Sequence, residues 1–471
     1  MGNFLYALEP IVSRVPTIAK PTRHIGLKEK AIWTSLVLVT FLVASQVPLV
    51  GLGSSIKNDP LYWLRMIMAS NRGTLMELGI GPAVTSGLLI QILISAGVIS
   101  YNQKDPKERQ LFEAAQKFFA IILTFIEAVA YVFLGMYGPV AQLGLANAWF
   151  IVFQLTVAGF MVTLLDDMIT KGWGIGSATS IFIATNVAES IISRCFSFNA
   201  ITTATGKEYE GAVIAFFHLL ATRPNKLNAL YEAFFRENLP NMSNVIGTVV
   251  VFGLICYLQT FHVPVPFQHS RVRGVGDTYK IKLFYTPHTP VMLQSTLVTY
   301  IFMISQFLYK KFGNYTLIRM IGTWKEIEGA QGQSVPVGGL AYLIAPPSSL
   351  FNALIHPIRF VTYLAFTLAS CGFFAKLWIE FSNSTSEDVA EALYSQNLIF
   401  RGYNTKPMMK KKLDRYIPIA AVLSGVVVGA LTVLADLLGA IGSGTGLLLA
   451  VMTLTETVEQ VSKENPTLFS K

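Results

Sequence analysis

The residues able to do covalent or metal chemistry are few and scattered. The six histidines form no His-Glu-x-x-His pair. Cys195, Cys256 and Cys371 are odd in number and too far apart for a disulfide framework or a Cys-x-x-Cys metal or redox pair, so they read as small apolar residues of membrane helices. No G-x-x-x-x-G-K-[ST] loop is present to cradle a phosphate. Gly172-x-Gly174-x-Gly176 and Gly442-x-Gly444-x-Gly446 open helices in apolar sequence instead of following a strand, which makes them packing or turn glycines. No Ser/His/Asp or Cys/His set clusters along the chain. The expectation is a protein that is not an enzyme and holds no cofactor and no metal. What remains is Glu127, a lone carboxyl near the middle of an apolar stretch, and uncharged polar groups in similar stretches: Thr85, Ser86, Gln91, Gln154, Thr179, Gln294 and Thr299. Such groups bridge membrane helices or line an aqueous path.

The elements that must position these groups follow from composition. The 471 residues include 52% AVILMFWYC and only 13% charged residues, against about 25% charged in soluble domains. This is an integral membrane protein. A span needs about 20 mostly apolar residues, and ten candidates are found, at 31–52, 76–99, 113–137, 143–167, 173–194, 242–262, 288–308, 357–379, 416–435 and 438–460. Residues 1–30 lack the apolar core of a secretory leader. Phe4, Leu8, Ile11, Val12 and Val15 recur at helical spacing before Pro16, as in a short amphipathic helix on a membrane surface; a tail without structure is the alternative. Gly211–Ala221 is apolar but too brief to cross, and reads as a re-entrant or surface segment.

Ten spans put both termini on one side, and charge says which. The loops on the side of the termini carry 22 Lys and Arg and the opposite loops 12, so the termini are expected in the cytosol. This divides the chain into a cytosolic segment 1–30, a first half 31–195 with a short helix candidate at 58–73, a loop 196–241 on the far side, a second half 242–460 and a cytosolic tail 461–471. Two cytosolic loops are strongly basic: 263–287, with Arg271, Arg273, Lys280 and Lys282, and 380–415, with Lys410-Lys411-Lys412 and Arg415. They suit a phosphate-rich partner or anionic lipid, or they are ordinary topology-setting charge.

An internal repeat is also legible. Ile175-Gly-Ser-Ala-Thr-Ser-Ile-Phe-Ile-Ala184 resembles Ile441-Gly-Ser-Gly-Thr-Gly-Leu-Leu-Leu-Ala450, and Pro82-Ala-Val84 and Pro290-Val-Met292 open the second and seventh spans alike. In this topology the two copies run in opposite directions, as in inverted-topology halves; chance likeness of Gly/Ser-rich membrane segments is the competing explanation. The short helix candidate at 58–73, from Pro60 to Gly73, must bury Leu61, Leu64 and Met68. It either folds back into the bundle or lies at the interface.

Six separated motifs now carry a resemblance: Asp59-Pro-Leu-Tyr-Trp-Leu-Arg65, Ala69-Ser-Asn-Arg-Gly-Thr-Leu75, Glu77-Leu-Gly79, Gly211-Ala-Val-Ile-Ala-Phe-Phe-His218, Lys282-Leu-Phe-Tyr285 and Asp436-Leu-Leu-Gly439. From about residue 30 to 460 the chain resembles the SecY family, in the form of the alpha subunit of the eukaryotic endoplasmic-reticulum protein translocon. The resemblance implies an all-α polytopic membrane protein with ten transmembrane helices in two inverted, pseudo-symmetric halves of five. It implies a protein-conducting channel of the endoplasmic-reticulum membrane that translocates secretory polypeptides and inserts membrane proteins through a plugged central pore and a lateral gate.

Carried over residue by residue, the resemblance implies a pore ring of Ile80, Val84, Thr179, Ile183, Met292 and Leu449, and a plug over 58–73 with Leu61, Leu64 and Met68. It implies a lateral gate including Thr85, Gln91, Glu127, Gln294 and Tyr300, and ribosome contact through Arg271, Arg273 and Lys406. An apolar ring dewets a constriction, resisting ions while deforming around an extended chain. Relatives often carry amides where Glu127 and Tyr300 stand, and a basic residue expected soon after Gly402 is replaced by Tyr403-Asn404-Thr405. Implied partners are small beta and gamma subunits, the ribosome through rRNA phosphates and proteins, post-translational translocation partners, nascent polypeptides with their signal sequences, and membrane lipid. The rival is an ion-coupled secondary transporter with inverted repeats. It would need several midplane carboxylates, where only Glu127 qualifies.

Overall fold

In a computed structural model of the chain, residues 10, 16–23, 25–51, 68–95, 106–133, 137, 143–203, 206–223, 225–236, 239–269, 276–285, 289–313, 315–326, 334–347, 350–382, 384–400, 403 and 405–464 are described. One long helix falls on each of the ten expected spans. They are α1 (Leu27–Gln46), α2 (Gly81–Ser95), α3 (Pro106–Phe133), α4 (Leu145–Met168), α5 (Ala178–Phe196), α8 (Met242–Gln259), α9 (Thr289–Phe312), α13 (Pro357–Phe381), α16 (Ile417–Leu437) and α17 (Gly444–Glu464). Among the described residues, six stretches are both long and apolar enough to cross a membrane on those grounds alone: Gln110–Phe133, Leu145–Trp173, Met242–Gln259, Pro290–Phe312, Pro357–Glu380 and Lys406–Leu437. Several spans carry large apolar residues on their exposed faces as well as their buried ones. In α1, Val37, Phe41 and Ala44 are buried while Ile32, Leu36, Val39 and Val43 form an exposed stripe; in α4, Ile151 and Leu155 are buried while Trp149, Phe150 and Phe153 are exposed. A helix apolar on all sides is stable only with lipid outside.

The shorter helices lie between the spans: α6 (Ala212–Thr222), α7 (Lys226–Phe234), α10 (Thr316–Ile321), α11 (Gly339–Ile344), α12 (Leu350–Ile355), α14 (Ser386–Ser395) and α15 (Lys406–Leu413). The fold is not purely helical. Among the described residues, three small antiparallel sheets stand in the connections: β1 (Ala200–Thr203) with β2 (Gly206–Tyr209); β3 (His262–His269) with β4 (Gly276–Lys282) and β7 (Leu398–Phe400); and β5 (Thr323–Glu326) with β6 (Ser334–Gly338). The basic loop at 263–287 is thus built on a hairpin in which Val265 faces Tyr279 and Val263 faces Ile281. Its alternation of apolar and polar residues is strand-like, but short strands are easily overlooked in a chain dominated by spans.

The chain forms two compact units. The first comprises residues 1–188, 303–339 and 453–471, and the second residues 189–302 and 340–452, so the boundaries fall inside α5, α9, α11 and α17. In the first, Leu49, Leu78, Ala128, Val132, Ile151, Val152 and Leu155 make one core, and Phe41 of α1 stacks on Phe182 of α5 with centroids 4.7 Å apart. In the second, Val251, Ile255, Phe284, Val291, Val428, Leu431, Leu447, Leu448 and Val451 make another. There α13 and α16 approach through small residues. A Cβ on Gly425 would stand 2.5 Å from the Cys371 carbonyl oxygen, and one on Gly429 would stand 3.4 Å from Cys371 Cβ. Gly425-Val-Val-Val-Gly429 is a G-x-x-x-G seam, which lets membrane helices pack backbone to backbone.

Gly211–Ala221 is helix α6, packed beside β2 and α8 within the second unit. The amphipathic pattern at 4–15 falls on residues outside those described, apart from Pro10.

Candidate functional site

The two repeat copies fold alike. Gly176 and Gly442 both take positive φ, +75° and +90°, a conformation that costs glycine little. In the first copy Ser177 Oγ lies 3.0 Å from Thr179 Oγ1 and the Ser177 carbonyl accepts from Ile181 N–H. In the second, Ser443 Oγ lies 3.4 Å from Thr445 Oγ1 and the Ser443 carbonyl accepts from Leu447 N–H. Each copy is therefore a left-handed glycine, a serine at the helix entrance and a hydroxyl pair, followed by a span. The prolines match as well, Pro82 and Pro290 both standing second in their helices, α2 and α9, where a missing N–H is harmless.

In the first unit, the chain entering α2 is tied down tightly. Ile80 N–H donates to the Met68 carbonyl at 2.9 Å. This brings the last turn of the expected plug segment onto a residue of the expected ring. The contact depends on Gly79, whose φ is +56° and whose Cβ, if present, would stand 2.1 Å from the Met68 carbonyl oxygen. Leu75 N–H donates to Val47 and Leu49 N–H to Gly73, which ties the same segment to the end of α1. Buried Glu77 accepts from Gly73 N–H. Leu61 and Leu64 lie outside the described residues, while Met68 is half-buried.

Glu127, half-buried on α3, comes to the foot of α2: its Oε2 lies 3.8 Å from where a Cβ on Gly81 would stand, and Met68 Sδ lies 3.9 Å from the same point. A carboxylate at a helix N-terminus meets the positive end of the helix dipole. Thr85 Oγ1 donates to the Pro82 carbonyl at 3.2 Å, so its hydrogen is used within its own helix. The side chain of Gln91 is outside those described.

Ile80 and Ile183 are each 1% exposed, whereas Val84 and Thr179 are half-buried. Thr179 lines a cavity of about 290 Å³ together with Ala83 and Ser86 of α2. The far wall of that cavity is charged, and sequence reasoning missed its centre. Asp167 stands in the last turn of α4. It is buried, and it holds Lys117 of α3, Lys171 one turn on at 3.1 Å, and the Ile18 backbone N–H at 2.8 Å. Lys171 donates to the Ile18 carbonyl, and Trp173 Nε1 to the Ala19 carbonyl at 2.9 Å. Residues 16–20 are thereby strapped to the π-helical turn Ile169–Trp173 that ends α4. The i, i+4 spacing of Asp167 and Lys171 was the one sequence signal available.

In the second unit, Met292 and Gln294 are buried in the first turns of α9, with Ser295 Oγ donating to the Met292 carbonyl at 3.0 Å. Leu449 is 2% exposed, beside Leu448 and Val451 of the core, and Tyr300 is half-buried. The entrance of α17 is held by Asp436, whose Oδ1 accepts from Gly444 N–H and whose Oδ2 accepts from Tyr363 Oη, both at 2.9 Å. Arg271 and Arg273 lie outside the described residues. At the base of that hairpin, burial pushes the Tyr279 and Tyr285 hydroxyls above their ordinary range. Lys406 Nζ sits 2.7 Å from Glu391 Oε2 and Lys410 pairs with Glu387, so part of the positive charge of this loop is already neutralised within it.

The sequence model named SecY matches residues 74–458, which is most of the chain. The chain belongs to the SecY family. The model of the plug domain of Sec61p matches residues 39–73, immediately before it. Among solved structures of similar proteins, a protein-conducting channel is 29% identical over 98% of this chain and 100% of its own, with a TM-score of 0.78. The canine Sec61 of a ribosome–channel complex from the endoplasmic reticulum is 28% identical over 98% of this chain and 100% of its own, at 0.75. The Ssh1 complex of yeast bound to the 80S ribosome is 29% identical over 97% of this chain and 94% of its own, at 0.78. The ten-span architecture in two halves is that of the SecY fold.

Proposed function

We infer that this chain is the pore-forming subunit of a protein-conducting channel in the endoplasmic-reticulum membrane, passing polypeptides across and releasing apolar segments into lipid. The observation that carries this is continuity: the plug-domain and SecY matches together run without a gap over residues 39–458. Family channels act as passive conduits, so direction comes from a partner. The related canine and yeast complexes are bound to ribosomes, and a ribosome is the expected partner here, in contact through Arg271, Arg273 and Lys406. Small beta and gamma subunits and post-translational partners complete the assembly, and both termini face the cytosol.

In this reading Ile80, Val84, Thr179, Ile183, Met292 and Leu449 line the narrow part of the conduit, where apolar walls exclude ions by dewetting. Of the plug segment, Met68 is bonded to Ile80, and Leu61 and Leu64 are its other expected members. Thr85, Gln91, Glu127, Gln294 and Tyr300 belong to the lateral gate, and the Met68–Ile80 bond and the placement of Glu127 at the foot of α2 support coupling of gate to plug. The test is transport of a radiolabelled secretory precursor into vesicles holding this chain with its small subunits. Protease-protected precursor is expected. Proton- or sodium-driven solute uptake that is lost in Glu127→Ala, without precursor transport, would favour the secondary transporter instead.

A further inference from the structure

Helix α7 is inside out for a water-soluble surface. Its buried positions are the small residues Ala229 and Ala233, 0% and 3% exposed, while Leu227, Tyr231 and the following Phe235 are 77%, 70% and 63% exposed. At about 100° per residue, Leu227, Leu230, Tyr231 and Phe235 share an arc of roughly 140°, with the alanines opposite. The polar groups of the turn are drawn to the flanks. Arg223 makes a two-pronged ion pair with Glu232, at 2.8 and 3.1 Å, and Lys226 Nζ closes the end of α6 by donating to the Leu220 and Arg223 carbonyls. On α6 itself Ala215 and Leu219 are buried and Phe217 is 67% exposed.

A contiguous apolar face of this kind on folded protein marks an interface, and its position says with what. Ser243 Oγ, in the first turn of α8, donates to the Phe234 carbonyl at 3.0 Å. The end of α7 is therefore fixed at the mouth of a span whose outer residues Ile246, Val249 and Val250 are apolar and exposed. The last turns of α5 add exposed Ile192 and Phe196. A helix with an exposed apolar face is thus tied to a span at the level where that span begins. Aromatic residues concentrate at that level because their rings favour the headgroup region. From below, the scaffold is rigid: Arg236, buried beneath the turn, pairs with Glu208 at 3.4 Å and donates to the Tyr209 carbonyl at 2.7 Å.

We propose that α7, with Phe217 of α6, is a membrane-surface anchor: a short helix lying in the headgroup layer, its Leu227–Leu230–Tyr231–Phe235 face immersed in the bilayer. It would pin the α5–α8 connection to the leaflet while the spans move. The proposal rests on the membrane-spanning reading, and one experiment separates the two. Nitroxide labels are placed by Tyr231→Cys, Phe235→Cys, Val249→Cys and Asn225→Cys in the full chain with Cys256→Ala, Cys195 and Cys371 being buried. The labelled chain is assembled with its small subunits in phosphatidylcholine vesicles and relaxed by oxygen, which partitions into lipid, or by a water-soluble nickel chelate. Positions 231 and 235 are expected to match lipid-facing 249, with oxygen the stronger relaxant, while 225 shows the reverse. Nickel prevailing at 231 and 235 while 249 reads as lipid would overturn the anchor and leave the span intact. Both agents excluded at 231 and 235 would also overturn it, since a protein then covers the face. Nickel prevailing at 249 would sink the span and the anchor together.

Discussion

Asp167→Ala is the most informative single change in the first unit, because one carboxylate there does two separable jobs. It neutralises Lys117 and Lys171, whose side chains are only 16% and 12% exposed, and it accepts from the Ile18 N–H of the N-terminal strap. A hydrogen bond to a charged group contributes about 1.5–3 kcal/mol. At about 1.4 kcal/mol per factor of ten, its loss raises the detached fraction of the strap roughly ten- to hundredfold. Where detachment is fast relative to cutting, proteolysis follows that fraction. Proteinase K cleavage at residues 16–20 of the detergent-purified chain should therefore accelerate by about that factor. Removing one partner of a buried ion pair costs about 3–5 kcal/mol, whereas replacing both with apolar residues can be neutral. Asp167→Leu with both Lys117→Met and Lys171→Met, which removes all three charges, should thus recover much of the lost melting temperature and still leave the strap loose. Unchanged cleavage in Asp167→Ala, or acceleration as large in Asp166→Ala, would refute the assignment of Asp167 as the post that holds the strap.

Two further outcomes follow from close approaches. Gly425→Leu forces a side chain into the 2.5 Å approach of α16 to the Cys371 carbonyl. Overpacking of that kind costs about 1–3 kcal/mol or more, so the purified chain should melt lower, while Gly253→Leu, with open space around it, should not change it. Gly79→Ala places a Cβ 2.1 Å from the Met68 carbonyl oxygen at a positive φ. It should break the Met68–Ile80 bond and raise the resting ion conductance of reconstituted vesicles; conductance equal to wild type would separate that bond from the seal.

The spans were legible because each is a long apolar run in a chain with few charges, and a bilayer leaves no other use for such runs. The entrances of α2, α5, α9 and α17 were legible too, since proline and positive-φ glycine are local signals: Pro82, Pro290, Gly176 and Gly442 all stand at or just before helix starts. The tertiary detail was not. The Ile18–Asp167 bond joins residues 149 apart in sequence, and nothing around Asp167 announces that a strap will arrive there. The G-x-x-x-G seam at 425–429 was hidden among other glycines of apolar segments, and the sheets at 262–282 and 398–400 depend on pairing between distant loops. Lys406 shows a different limit: its charge was read correctly, but its pairing with Glu391 depends on α14 and α15 packing side by side. For the expected ring, the structure adds that Thr179 lines a cavity with Ala83 and Ser86, so the polar member of the set sits next to α2.

The central claim is that a polypeptide passes between apolar residues drawn from both repeat copies. Photocrosslinkers placed at Ile183 and Leu449, with a third at exposed Val39 on the outer stripe of α1, test it on a ribosome-stalled secretory chain in membranes. Adducts to the stalled chain at 183 and 449 and none at 39 are predicted; adducts at 39 with none at 183 or 449 would contradict the account.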